Sequence, residues 1–130
     1  MGKRSTARRL AMQVMFQLDM GQKDLEFLLD QARISESLIK DTVDFSRSLL
    51  TGVRENLPAI DKVISEKSIG WSLGRITNVD RAILRLAIYE IQYLEGSPSV
   101  VINEAVNLAK RFSTAESSKF VNGILGSLVQ

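Results

Sequence analysis

The 130-residue sequence predicts an all-α bundle of about seven helices. Every strong apolar periodicity repeats at helical spacing, and no stretch alternates as a half-buried strand would. Only two prolines and eight glycines interrupt the chain, which favours long elements over many short ones. Hydrophobic residues make up 45% and charged residues 25% of it. At this length that composition suffices for one domain, expected to span 1–130, with a core of its own.

The elements follow in order. A first helix carries Ala7, Leu10, Ala11, Val14 and Leu18 along one stripe. Successive residues sit about 100° apart around a helix, which puts Phe16 nearly opposite that stripe, beside Met12 and Arg9. Met20-Gly21-Gln22 breaks the helix, and Asp24 can cap a second with Leu25, Leu28, Leu29 and Ala32 facing inward. Ser35 is the expected cap of a long third helix, striped by Leu38, Thr42, Phe45, Leu49 and Val53 and ending near Asn56. Pro58 suits the first position of a fourth, which carries Ile60, Val63 and Ile64.

The chain then turns around Gly70-Trp71-Ser72, where Trp71, Leu73 and Ile76 are expected to plug the seam between two halves. Asn78 is the expected cap of a helix over 79–94. Its Val79, Ala82, Ile83, Leu84, Leu86, Ala87, Ile88 and Ile91 cover most of the circumference, so it should be the central one. Glu95-Gly96-Ser97-Pro98 is a turn, and Pro98 starts a helix with Val101, Ala105, Leu108, Ala109 and Phe112 on one face. Ser113-Thr114-Ala115-Glu116 has capping-box form before a last helix striped by Val121, Ile124, Leu125 and Leu128, with Phe120 at its edge.

Charge is unevenly placed. The net charge is +2, from 17 basic and 15 acidic residues. Lys3, Arg4, Arg8 and Arg9 stand in the first nine positions without an acid, which leaves 13 basic residues against 15 acidic in the rest. A basic end of this kind reads as a contact surface for a polyanion. A large aromatic on the polar side of the same helix is what stacking a base beside a phosphate backbone requires. Burial of Phe16 by a neighbouring helix is the competing explanation.

Much chemistry is excluded. The chain has neither histidine nor cysteine, which removes Ser-His and Cys-His nucleophiles, the commonest zinc sites and any disulfide. Gly70 to Gly74 lacks the Lys-Ser/Thr ending of a phosphate loop. Glu90 falls within the central helix's apolar stripe and Glu104 flanks the core face of the next helix. A buried carboxylate pair can do acid–base work, but a buried Glu that bonds a neighbouring backbone group or an arginine and so locks helix packing is the stronger reading here. No catalytic site, metal or cofactor is therefore expected. The amino terminus lacks a signal peptide's apolar core, and no run approaches the ~20 apolar residues of a membrane span, so a cytoplasmic setting is expected.

Three runs, RITNVDRAILRLAIYEIQYL (75–94), PSVVINEAVNLAKRF (98–112) and SSKFVNGILGSL (117–128), together with STARRLAMQVMFQLD near the start, closely resemble the NusB family of bacterial transcription antitermination factors. The likeness covers nearly the whole chain in order. It implies two packed helical sub-bundles, and binding to the single-stranded boxA element of ribosomal RNA operon leaders. It also implies a heterodimer with the small-subunit ribosomal protein that doubles as NusE, within the RNA polymerase antitermination complex.

Residue by residue, the family's basic start falls on Lys3, Arg4, Arg8 and Arg9, which would neutralise phosphates. Four such contacts would give a salt slope of about −3 on single-stranded RNA. The family's RNA-facing aromatic, usually tyrosine, falls on Phe16, which keeps the ring and loses a hydroxyl. Ser5 and Thr6 stand where some relatives carry arginine. Lys119 and Phe120 match RNA-surface positions, and Asp80 matches a position at the partner interface. Asn122 and Gly123 read as structural, the first bonding a neighbouring segment, the second allowing close helix approach.

Two other readings stay open. One is a helical protein–protein adaptor whose basic end is incidental. The other is the RNA-recognition module of an rRNA-modifying enzyme, since NusB-like domains also occur fused to rRNA methyltransferases. Self-association over the basic helix is compatible with the sequence, though no residue demands it.

Overall fold

In the computed structural model, which describes residues 2–22, 24–70 and 76–129, seven helices make up the described fold: α1 (Lys3–Asp19), α2 (Leu25–Glu36), α3 (Lys40–Glu55), α4 (Leu57–Lys67), α5 (Asn78–Tyr93), α6 (Pro98–Phe112) and α7 (Ala115–Ser127). Helices α1, α2 and α3 pack on one another, as do α5, α6 and α7, and α4 bridges α3, α5 and α7. Helix α5 touches α1, α3, α4, α6 and α7. Its buried Ala82, Ile83, Leu84, Leu86, Ala87 and Ile88 are why. A helix apolar on most of its circumference must be covered from several sides.

Helix α1 is also more deeply buried than one stripe requires. Met12 and Met15 join Ala7, Leu10, Ala11 and Val14 in the core. Met12, expected beside Phe16 on the outer side, is instead almost fully enclosed, its unbranched side chain filling space that a β-branched residue would not reach. Among the described residues no helix is long and apolar enough to cross a membrane.

Of the expected caps one is made, two are shifted by a residue, and that of α3 is absent, its N-cap position being Ile39. Asp24 accepts from the Phe27 N–H, as anticipated. Ser35 does not cap α3, because α2 runs through it and ends at Ser37 in the left-handed region at φ 54°. The Ser35 hydroxyl donates back to the Ala32 carbonyl instead. Thr77 rather than Asn78 caps α5, accepting from the Asp80 N–H, and Thr114 rather than Ser113 caps α7, accepting from Ser117. In each case the neighbouring residue has the same capping chemistry, so composition alone does not separate them.

Trp71 and Leu73, expected in the seam, lie outside the described residues. Ile76, the third of that set, is buried in the core. Asn122 and Gly123 are both exposed. A Cβ on Gly123 would meet nothing within 4 Å, so no close helix approach depends on that glycine. Asn122 makes no side-chain hydrogen bond to a neighbouring segment among the described residues.

Candidate nucleic-acid interface

The four amino-terminal cations fall into two pairs with different surroundings. Arg8 points inward: its Nη2 lies 2.6 Å from Glu90 Oε2 and its Nη1 3.1 Å from Glu104 Oε1. Ser5 donates to the same Glu104 oxygen. Only 13% of the Arg8 side chain is exposed, and 6% of Glu90. Hydrogen bonding to Glu90 outweighs desolvation and holds the Arg8 guanidinium above its ordinary pKa. Expected against phosphate, Arg8 is already satisfied by two carboxylates, because the buried Glu90 and the half-buried Glu104 would otherwise share the seam without a counter-charge. Arg9 is also engaged, with Nη2 2.6 Å from Glu36 Oε1 and Nη1 2.7 Å from Gln13 Oε1.

Lys3 and Arg4 are exposed. Lys3 Nζ lies 3.9 Å from Asp41, a loose pair between two solvated groups. Arg4 makes no ion pair among the described residues; its Cζ sits 3.8 Å from the centroid of the Phe45 ring on α3. Phe45, read from the sequence as a core stripe residue, is half-buried and roofed by that guanidinium. Lys3, Arg4, Asp41, Asp44 and Phe45 line a shallow cavity of about 430 Å³.

Phe16 is half-buried and is not among the rings packed against the core. It lines an open groove of about 810 Å³, whose walls also include Gln13, Gln17, Gln31, Ile34 and Phe112. A ring in an open groove, rimmed by amides, can stack a planar ligand on one face. Arg111, which makes no ion pair among the described residues, lies with its Cζ 4.8 Å from the Phe112 centroid. Nothing local in the sequence marks this pair, because Phe112 falls on the apolar face of its helix.

Two residues given separate roles meet in one place. Asp80 and Phe120 line a single cavity of about 190 Å³, between the caps Thr77 and Thr114. Asp80 is buried, and its Oδ1 has no hydrogen-bond partner among the described residues. Its backbone N–H is taken by Thr77, but the reciprocal bond of a capping box is not made, so that buried oxygen is left without a donor among the described residues. Lys119 is exposed, one residue from Phe120. Among the described residues no cluster of acidic side chains could hold a metal ion.

These features describe an all-α bundle that presents aromatic rings and uncommitted cations at its surface. Residues 5–130 match the sequence profile of the NusB family, and the chain belongs to that family. It is 43% identical to the transcription antitermination protein NusB of Symbiobacterium thermophilum, covering 98% of this chain and 89% of that protein. The structure of Thermotoga maritima NusB superposes with a TM-score of 0.87 at 37% identity, covering 98% and 90% of the two chains. A chain of the crystal structure of antitermination factors NusB and NusE in complex with double-stranded RNA superposes with a TM-score of 0.88 at 26% identity, covering 98% and 96%.

Proposed function

We propose that this protein is a non-enzymatic transcription antitermination factor. It binds boxA-type single-stranded RNA from ribosomal RNA operon leaders together with the ribosomal protein acting as NusE, and so promotes processive rRNA transcription by RNA polymerase. The observation that carries this reading is Phe16, an aromatic ring on α1 left out of the core and open to a groove, on the helix that also carries Lys3 and Arg4. The NusB relatives support it, one of them in a complex with NusE and RNA.

Lys3, Arg4 and Lys119 supply phosphate contacts, Phe16 and Phe120 supply stacking, and Arg8 and Arg9 hold α1 in place beneath them. With three phosphate contacts in place of four, the expected salt slope on single-stranded RNA is about −2. Asp80 keeps its assignment to the partner side. Its place beside Phe120 puts protein and RNA contacts within one cavity's width of each other.

The test is a titration of short boxA-type RNA, single- and double-stranded, with and without the NusE partner, for wild type and Phe16→Ala. Binding to the single strand that the partner strengthens, the substitution weakens and salt reduces supports the reading. Partner binding with no RNA binding, or RNA binding indifferent to Phe16, overturns it in favour of a protein adaptor.

A further inference from the structure

We infer that Phe45 is a positioning residue for RNA binding: its ring on α3 holds the Arg4 guanidinium in place while leaving that charge free for phosphate. The inference rests on the RNA-binding reading above and adds a residue from a different helix to it.

The first turn of α1 is locally unfavourable. It has no acidic residue and its cap, Gly2, makes no side-chain hydrogen bond. Lys3 and Arg4 sit at the positive end of the helix dipole, where cations are disfavoured. Left alone, such a turn frays, and an arginine on it would lose considerable side-chain entropy on meeting a ligand.

Among the arginines of α1, only Arg4 is held without being neutralised. Arg8 is matched by Glu90 and Glu104, and Arg9 by Glu36. The two carboxylates that share the cavity of Phe45 and Arg4 are engaged elsewhere, Asp44 with Lys40 and Arg47, and Asp41 loosely with Lys3. Arg4 has the ring, 3.8 Å from its Cζ, and Arg8 flanks the same ring at 5.9 Å. An aromatic face attracts a guanidinium through its quadrupole and takes none of the planar N–H donors that point outward. A carboxylate in Phe45's place would position Arg4 equally well and cancel its charge.

The experiment is a double-mutant cycle on RNA affinity in the presence of the partner, with salt titrations. Phe45→Leu should weaken binding about three- to tenfold, the range for losing a cation–π contact at a part-exposed site. Phe45→Tyr should restore it. Arg4→Gln should lower the salt slope by about 0.7, and adding Phe45→Leu to Arg4→Gln should cost nothing more. In the free protein, the Arg4 side-chain protons should be shifted upfield by the ring and lose that shift in Phe45→Leu.

Equal losses from Phe45→Leu with and without Arg4 would mark a general packing role and overturn the inference. So would tighter binding by Phe45→Leu, since the ring would then be sequestering Arg4. Either result leaves the RNA-binding reading standing; absence of RNA binding by the wild type overturns both.

Discussion

The Arg8 guanidinium grips both oxygens of the Glu90 carboxylate along one edge, with Nη2 2.6 Å from Oε2 and Nε 2.9 Å from Oε1. This joins the start of α1 to the end of α5 across 82 residues of chain. The three charges of the Arg8–Glu90–Glu104 group do not balance, one cation facing two carboxylates, and the group therefore depends on Arg8 more than on either acid.

That asymmetry makes a prediction. Arg8→Ala leaves two acids facing each other in the α1–α5–α6 seam and should destabilise the fold by about 3 kcal/mol, the lower end for breaking a buried pair, because some of Arg8 touches water. Glu90→Gln leaves Arg8 paired with Glu104 and should cost less, about 1–2 kcal/mol. Urea midpoints at unchanged slope measure both; equal losses would contradict the unequal roles.

Phe16→Ala should lower single-stranded RNA affinity by about 1–3 kcal/mol, the usual worth of a stacked base. Since Phe16 is not packed against the core, its urea midpoint should correspond to a loss of no more than about 1 kcal/mol. Unfolding of this variant would show that the ring is a packing residue.

Gly52 lies where the Tyr89 ring crosses α3, and an added Cβ would collide with Tyr89 Cζ. Gly52→Ala must therefore displace a ring that stacks on Tyr93, with centroids 5.3 Å apart and planes 17° from parallel. Overpacking of this kind costs about 1–3 kcal/mol, partly offset by alanine's helix propensity of about 1 kcal/mol. Net destabilisation with an altered near-ultraviolet tyrosine signal is expected.

Asp44 is held below its ordinary pKa of 3.8, chiefly by the hydrogen bond from Lys40 Nζ, 2.7 Å away, with Arg47 assisting. A depressed folded-state value means that the stabilisation is present above the unfolded pKa and disappears as pH falls through the folded one. The stability difference between wild type and Asp44→Asn should therefore be largest near neutrality and close below about pH 4. Added salt should shrink it at every pH, because both partners are solvated.

Helix number, order and inward faces were legible in the sequence because 3.6-residue periodicity, Pro98 and Pro58 act locally. The caps at 77 and 114 were missed by one residue each, since Thr77-Asn78 and Ser113-Thr114 are adjacent residues of equal capping ability. Phe16's outward position followed from helix arithmetic. Arg8's inward turn did not, because it depends on Glu90 and Glu104 arriving from helices 82 and 96 residues away. Phe45 was hidden for the opposite reason: an aromatic in an apolar stripe reads as core, and only the fold brings Arg4 over it. Long-range partners decide which arginine is structural and which is free, and no local pattern carries that information.

A second arginine completes the fastening of α1. Arg85 on α5 bonds Asp61 of α4 at 2.8 Å and reaches Asp19, the last residue of α1, at 3.5 Å. Helix α1 is thus pinned to α5 near both of its termini, by Arg8 at one end and Arg85 at the other, and cannot roll about its own axis without breaking a clamp. Its outward positions Lys3, Arg4, Phe16 and Gln17 consequently behave as an exchangeable print on a fixed plate. Grafting a different set of side chains at those four positions should redirect what the helix recognises while the bundle beneath it folds as before.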